Sequence, residues 1–161
     1  MIDDKTLIGV YNADSRPERE TIDWVGYQFE NSAHRVFQQY GLYTGNISNM
    51  ERLPNRSVLV GAALWQTRWS LGFEIFNALK QRCFCRQSGY RLNDPFNYCI
   101  GHGLFVTKDI FLKTGGFNES FHNEDAFLGL QLCDMGETIV PVPPNDSAQP
   151  AKVMGEALVP T

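Results

Sequence analysis

Thr6-Leu7-Ile8-Gly9-Val10-Tyr11, continued by Asn12-Ala13-Asp14-Ser15-Arg16-Pro17, is the stretch on which the fold class turns. Its first half is a short apolar run of β-formers, which reads as a buried strand. Its second half gathers Asn, Asp, Ser and Pro, each of which favours a turn. Pro17 suits the first position of a helix, and a helix is expected from there to about Glu30. Strand, polar turn and helix in that order are the unit of an α/β fold.

Outward from this unit, Arg35 to Gln39 reads as a second extended piece, and Gly41 to Arg56 as a loop without periodicity. From Ser57 to Lys80, Val58, Ala62, Trp65, Trp69, Phe73 and Phe76 fall at helical steps. They predict a long amphipathic helix whose tryptophans pack into the core. Arg82 to Pro95 reads as a loop. Tyr98 to Val106 reads as a strand interrupted at Gly101-His102-Gly103. A short helix over Lys108 to Lys113 is stopped by Gly115-Gly116, and a second over Glu124 to Met135 by Gly136. In the second, Phe127, Leu128, Leu130, Leu132 and Met135 are expected to be buried. Thr138 to Val142 is a last strand, halted by Pro141 and the prolines after it, with a loosely ordered tail over residues 145–161.

The chain has 161 residues, 43% of them hydrophobic and 20% charged, with 11 Phe, 6 Tyr and 3 Trp. That length fits one domain of about 100–200 residues, and the aromatic content excludes a disordered chain. A net charge of −4 lacks the basic footprint of a general nucleic-acid binder. The same acidity means that a phosphate-bearing ligand needs a metal ion or local donors. No apolar run reaches the roughly 18–20 residues of a membrane span, and Met1-Ile2-Asp3-Asp4-Lys5 is unlike a signal peptide. Cys83, Cys85, Cys99 and Cys133 are too sparse for a disulfide framework and lack zinc spacing, so reduced thiols in the cytoplasm are expected.

Three groups of residues can carry chemistry. Asp14 stands where a strand gives way to a turn, the end of an α/β sheet where ligands bind. A carboxylate there can share Mg²⁺ or Mn²⁺ with a substrate's phosphates, or simply cap the next helix. Glu124 and Asp125 open a helix, where the macrodipole favours acids. Adjacent helical side chains diverge by about 100°, so one carboxylate can face a cleft as general base while the other bonds to backbone. Gly101-His102-Gly103 lets backbone approach a ligand closely, or marks a bulge in a strand.

Taken in order, these pieces resemble family 2 of the nucleotide-sugar glycosyltransferases, which have the GT-A fold. The run Leu7 to Pro17 is similar to the family's strand ending in D-x-D followed by S-x-P. Gly101 to Asp109 resembles its G-x-G/S segment, Thr114 to Glu119 its G-G-F turn, and Asn123 to Leu132 its E-D-x-x-L-G-x-x-L helix. The resemblance implies a Rossmann-related mixed sheet flanked by helices. It also implies an inverting transfer of sugar from a nucleotide-diphosphate sugar, a UDP-sugar first among them, to the hydroxyl of a carbohydrate or lipid-linked acceptor.

On that resemblance Asp125 is the base, Glu124 supports it, and Asn12 and Asp14 bind the donor. Asp14 holds the divalent cation, and Gly101, His102 and Gly103 line the acceptor side. Asn12 stands where the motif has its first Asp and brings no charge. Because the family's base-binding segment precedes the D-x-D strand, residues 1–144 are expected to be the second half of a catalytic domain. Such a half would be inactive alone and would leave apolar surface exposed around Leu7, Val10 and the long helix. Membrane association, at the cytoplasmic face, would come through segments outside this chain. The competing reading is a non-catalytic sugar- or partner-binding module on a degenerate glycosyltransferase fold.

Overall fold

A computed structural model describes residues 6–11, 19–43, 47–84 and 99–142, with residue 49 and residues 81–84 described by their backbone alone. Asn12 and Asp14, the turn to Pro17, residues 85–95 of the expected loop and the tail over 145–161 lie outside these residues, whereas Arg82 to Phe84, expected in that loop, are helical. The described residues form a mixed α/β arrangement on four strands: β1 (Leu7–Val10), β2 (Val36–Gln38), β3 (Leu104–Thr107) and β4 (Ile139–Pro141), in the spatial order β1-β3-β2-β4. β3 pairs antiparallel with both β1 and β2, whereas β2 and β4 are parallel. The mixed sheet expected from the sequence is therefore present.

Alternation along the strands builds a core on each face of the sheet. Val36, Leu104, Val106 and Ile139 pack with Ile110, Leu128 and Leu132 on one side. Phe37, Phe105 and Val140 pack with Val25 on the other. Helix α1 (Arg19–Asn31) supplies Val25, while α5 (Lys108–Lys113) and α6 (Glu124–Asp134) supply the leucines and Ile110 opposite. The expected helix ends hold: Gly115, Gly116 and Gly136 all have positive φ, and Gly116 N–H donates to Phe111 O at 2.9 Å.

Several expectations are corrected. β1 is half-buried rather than buried, because it lies at the edge of the described sheet. The expected loop after Gly41 contains a short helix, α2 (Ile47–Met50), and its Met50 is buried against Tyr43 and Ala63. The strand expected from Tyr98 starts only at Leu104, because Gly101-His102-Gly103 bends ahead of it. In α6 the buried residues are Leu128, Gly129 and Leu132, while Leu130 is exposed on the other side of the helix, Met135 is exposed at its C-cap and Phe127 is half-buried. The last expected strand is present as β4, which ends at Pro141 as a proline allows in a strand at the edge of the described sheet.

The largest correction concerns the long helix. It runs as α3 (Arg56–Trp69), a π-helical turn (Ser70–Glu74) and α4 (Ile75–Phe84). Its buried residues are Ala63, Ser70, Glu74 and Ala78, whereas Val58, Ala62, Trp65, Trp69, Phe73 and Phe76 are exposed. The apolar period did mark a helix but not the side that packs. Small residues let the helix sit close over Tyr40, Tyr43 and Ile100, and the bulky stripe is turned away.

Candidate functional site

The turn ahead of β3 is held by two adjacent glutamines at the end of β2. The buried Gln38 side chain accepts the Ile100 N–H at 3.0 Å through Oε1. Its Nε2 donates to the carbonyls of His102 at 2.8 Å and Gln39 at 2.9 Å. Gln39 N–H donates to Gly103 O at 2.7 Å. Buried amides rarely go unpaired, and here one carboxamide satisfies three backbone groups that no sheet ladder reaches. Gly103 has φ +64°, and a Cβ there would lie 2.7 Å from Gln39 O, so only glycine fits. Gly101 is less constrained, since a Cβ would sit 3.8 Å from Asp125 in ordinary contact.

Asp125 approaches this turn from the start of α6. Its Oδ2 accepts the Gly101 N–H at 3.1 Å and its Oδ1 accepts the Ala126 N–H at 2.7 Å. Two motifs separated by 24 residues thus share one hydrogen bond. Each carboxylate oxygen keeps acceptor capacity beyond the bond it makes, so the group is positioned without being saturated. Glu124 is also half-buried, but its side chain has no hydrogen-bond or ion-pair partner among the described residues. The division of labour expected for the pair is therefore altered: Asp125, not Glu124, is the residue bonded to backbone.

A third wall comes from the helical arm. Tyr43 N–H donates to Thr67 Oγ1 at 3.0 Å, and the Tyr43 hydroxyl lies 3.4 Å from His102 Nε2. Ser70 Oγ donates to Glu74 Oε2 at 2.7 Å, and both residues are buried. Burial pushes the Glu74 carboxyl above its ordinary value, while the Ser70 hydrogen bond and the nearby His102 pull the other way and Asp125 adds to the rise. Glu74 therefore shares the electrostatic field of His102 and Asp125. It is brought there by the π turn, whose wider pitch re-aims side chains and is common at functional sites.

On the opposite side of the turn, β1 ends beside the start of β3, with Val10 opposite Leu104. Tyr11 O–H donates to Gln39 Oε1, and Gln39 Nε2 donates to Thr21 Oγ1 at 3.2 Å. Tyr11, the residue after β1, thus lies next to the glutamine pair that holds the Gly101–Gly103 turn. Of the expected site residues, Gly101, His102, Gly103 and Asp125 come together, Glu124 is adjacent in sequence only, and Asn12 and Asp14 lie outside the described residues. The sequence reading missed Gln38, Tyr43, Ser70 and Glu74. Glu74 carried a signal, being the single acid between Arg52 and Arg86, whereas the others had none.

Among the described residues no group of three or more His, Cys, Asp or Glu is placed to hold a metal ion. A Mg²⁺ or Mn²⁺ shared between one carboxylate and a ligand's phosphates does not require such a group. Cys99 and Cys133 are free thiols, and burial raises the Cys99 thiol so far that it acts as a packing residue rather than a nucleophile. The described helices include none long and apolar enough to cross a membrane. A scan against models of known protein families finds no match, and a search of curated proteins finds none.

Proposed function

We propose that this chain carries the acceptor-side half of an inverting glycosyltransferase of the GT-A type, with Asp125 as the general base. The observation that carries the reading is the bond from Gly101 N–H to Asp125 Oδ2, which joins the G-H-G and E-D motifs at one point. A carboxylate held by backbone amides at a glycine turn can meet an acceptor hydroxyl and take its proton as the oxygen attacks the anomeric carbon. The flanking groups suit that chemistry, since His102 beside Tyr43 provides polar contacts for a hydroxyl-rich acceptor and Gly101 admits it to the backbone. Asn12 and Asp14 would hold the donor's diphosphate. A Mg²⁺ or Mn²⁺ on Asp14 would supply Lewis-acid stabilisation to the departing nucleotide diphosphate.

Asp125→Asn, made in the complete catalytic domain, tests the assignment. The amide keeps an acceptor for Gly101 N–H but cannot take up a proton. Transfer from the nucleotide-sugar is expected to fall on the order of 10²-fold or more, with donor binding preserved. Transfer at the parent rate would remove Asp125 as base. The uncharged Asn12 favours a second reading, a sugar-binding module without catalysis, for which the parent chain would bind sugar and transfer none.

A further inference from the structure

The outer face of the arm formed by α3, the π turn and α4 is unlike the rest of the surface. Val58, Trp65, Trp69, Phe73 and Phe76 are 73%, 66%, 43%, 39% and 59% exposed. At about 100° per residue, Val58, Trp65 and Phe76 lie roughly opposite the buried Ala63 and Ser70, while the Trp69 ring, part-exposed on this face, donates a side-chain hydrogen bond to Glu74. Leu79 is also exposed and broadens the stripe, and Leu64 and Leu71 are exposed on another side of the arm. The Trp69 and Phe73 rings pack at 4.5 Å between centroids, and with Trp65, Arg68 and Gly72 they line an open recess of about 290 Å³. An apolar face of this extent on a monomer marks an interaction site.

The charge in the sequence that carries the stripe is almost wholly basic. Between residues 52 and 86 the sequence has Arg52, Arg56, Arg68, Lys80, Arg82 and Arg86 against the single acid Glu74, in a chain of net charge −4. Glu74 is buried, so the exposed acids are elsewhere. A cationic helix with Trp, Phe and Leu along one side is the pattern of an interfacial helix, its rings at headgroup depth and its Arg and Lys near anionic phosphates.

We propose that this face docks the chain peripherally on an anionic lipid bilayer. A second copy fits the face poorly, because a two-fold contact would bring the same cationic stripe against itself. A further strand added beside β1 would not cover it, because α4 packs toward β4, at the far edge of the described sheet. The proposal is independent of the transfer reaction.

The test is flotation of the full chain with vesicles of phosphatidylcholine alone and with 30% phosphatidylserine, alongside sedimentation velocity without lipid. Binding to the anionic vesicles, weakening with salt, is expected, with a blue shift of tryptophan emission. Trp65→Ser with Trp69→Ser should weaken binding tenfold or more. Arg68→Glu with Lys80→Glu should do the same, since each basic group near such a surface contributes about a factor of five. Trp65, Arg68 and Lys80 are exposed, and Trp69 gives up only its bond to Glu74 and its contact with Phe73, so the fold is expected to survive, which Trp24, packed edge-on against Phe37, reports independently. Equal binding by the parent and both double variants would overturn the proposal. So would absence of binding, or self-association of the parent that the tryptophan variants abolish without any vesicle binding.

Discussion

On its inner side the helical arm packs Ala63 and Ala78 under Tyr40 and Tyr43 and hides the Ser70–Glu74 pair. On its outer side it exposes two tryptophans and two phenylalanines. Hydropathy alone would assign these faces the other way round. The difference lies in what each face meets. The inner face must approach the 99–103 turn closely and supply polar partners to it, so small and hydrogen-bonding residues suit it better than large apolar ones. Close packing around fixed polar bonds should make the inner region intolerant of substitution and the outer face tolerant.

The sharpest expected contrast is at the turn itself. Gly103→Ala forces a side chain into positive φ and into Gln39 O, so a loss of at least about 3 kcal/mol in urea unfolding is expected. Gly101→Ala, whose Cβ has room, should cost under about 1 kcal/mol. Equal costs would show that the turn is not held as described.

A smaller effect separates charge from packing on the inner face. Burial holds the Glu74 carboxyl above its ordinary 4.5, so the folded chain retains a proton that the unfolded chain has released. The stability linked to Glu74 is therefore full below the unfolded value and is lost as pH rises through the folded one. Glu74→Gln removes that loss. Its stability relative to the parent should increase between pH 4.5 and 7.5 in thermal melts, and a difference independent of pH would contradict the burial of an ionising group. The smallest effect belongs to the outer face. Trp65→Ser should change unfolding free energy by no more than about 0.5 kcal/mol, as for an exposed site. A loss of about 3 kcal/mol, the order for a truncated core aromatic, would mean that Trp65 is packed.

Much of the scaffold could be read from local pattern. The strand β1, the helix α1, the glycine stops after α5 and α6, and the short strand at Val36 are all set by neighbours in sequence. Where the fold depended on distant partners, the pattern misled. The stripe of Trp65, Trp69 and Phe73 has a helical period whichever way it faces, and a π turn shifts the register without any residue type announcing it. Gln38 looked like an ordinary strand residue, yet its carboxamide fixes the turn 62 residues later. Asp125 was legible by motif, but that its partner is Gly101 N–H required the tertiary structure.

The proposed function is tested most directly by titrating the purified chain in a calorimeter with UDP, GDP and TDP, each with Mn²⁺ and then with EDTA. Saturable heat with one nucleotide that needs the metal, is lost in Asp14→Ala and persists in Asp125→Asn is the expected result. A folded chain that gives no heat with any of the three, or heat indifferent to both metal and Asp14, would contradict a donor site built around Asp14.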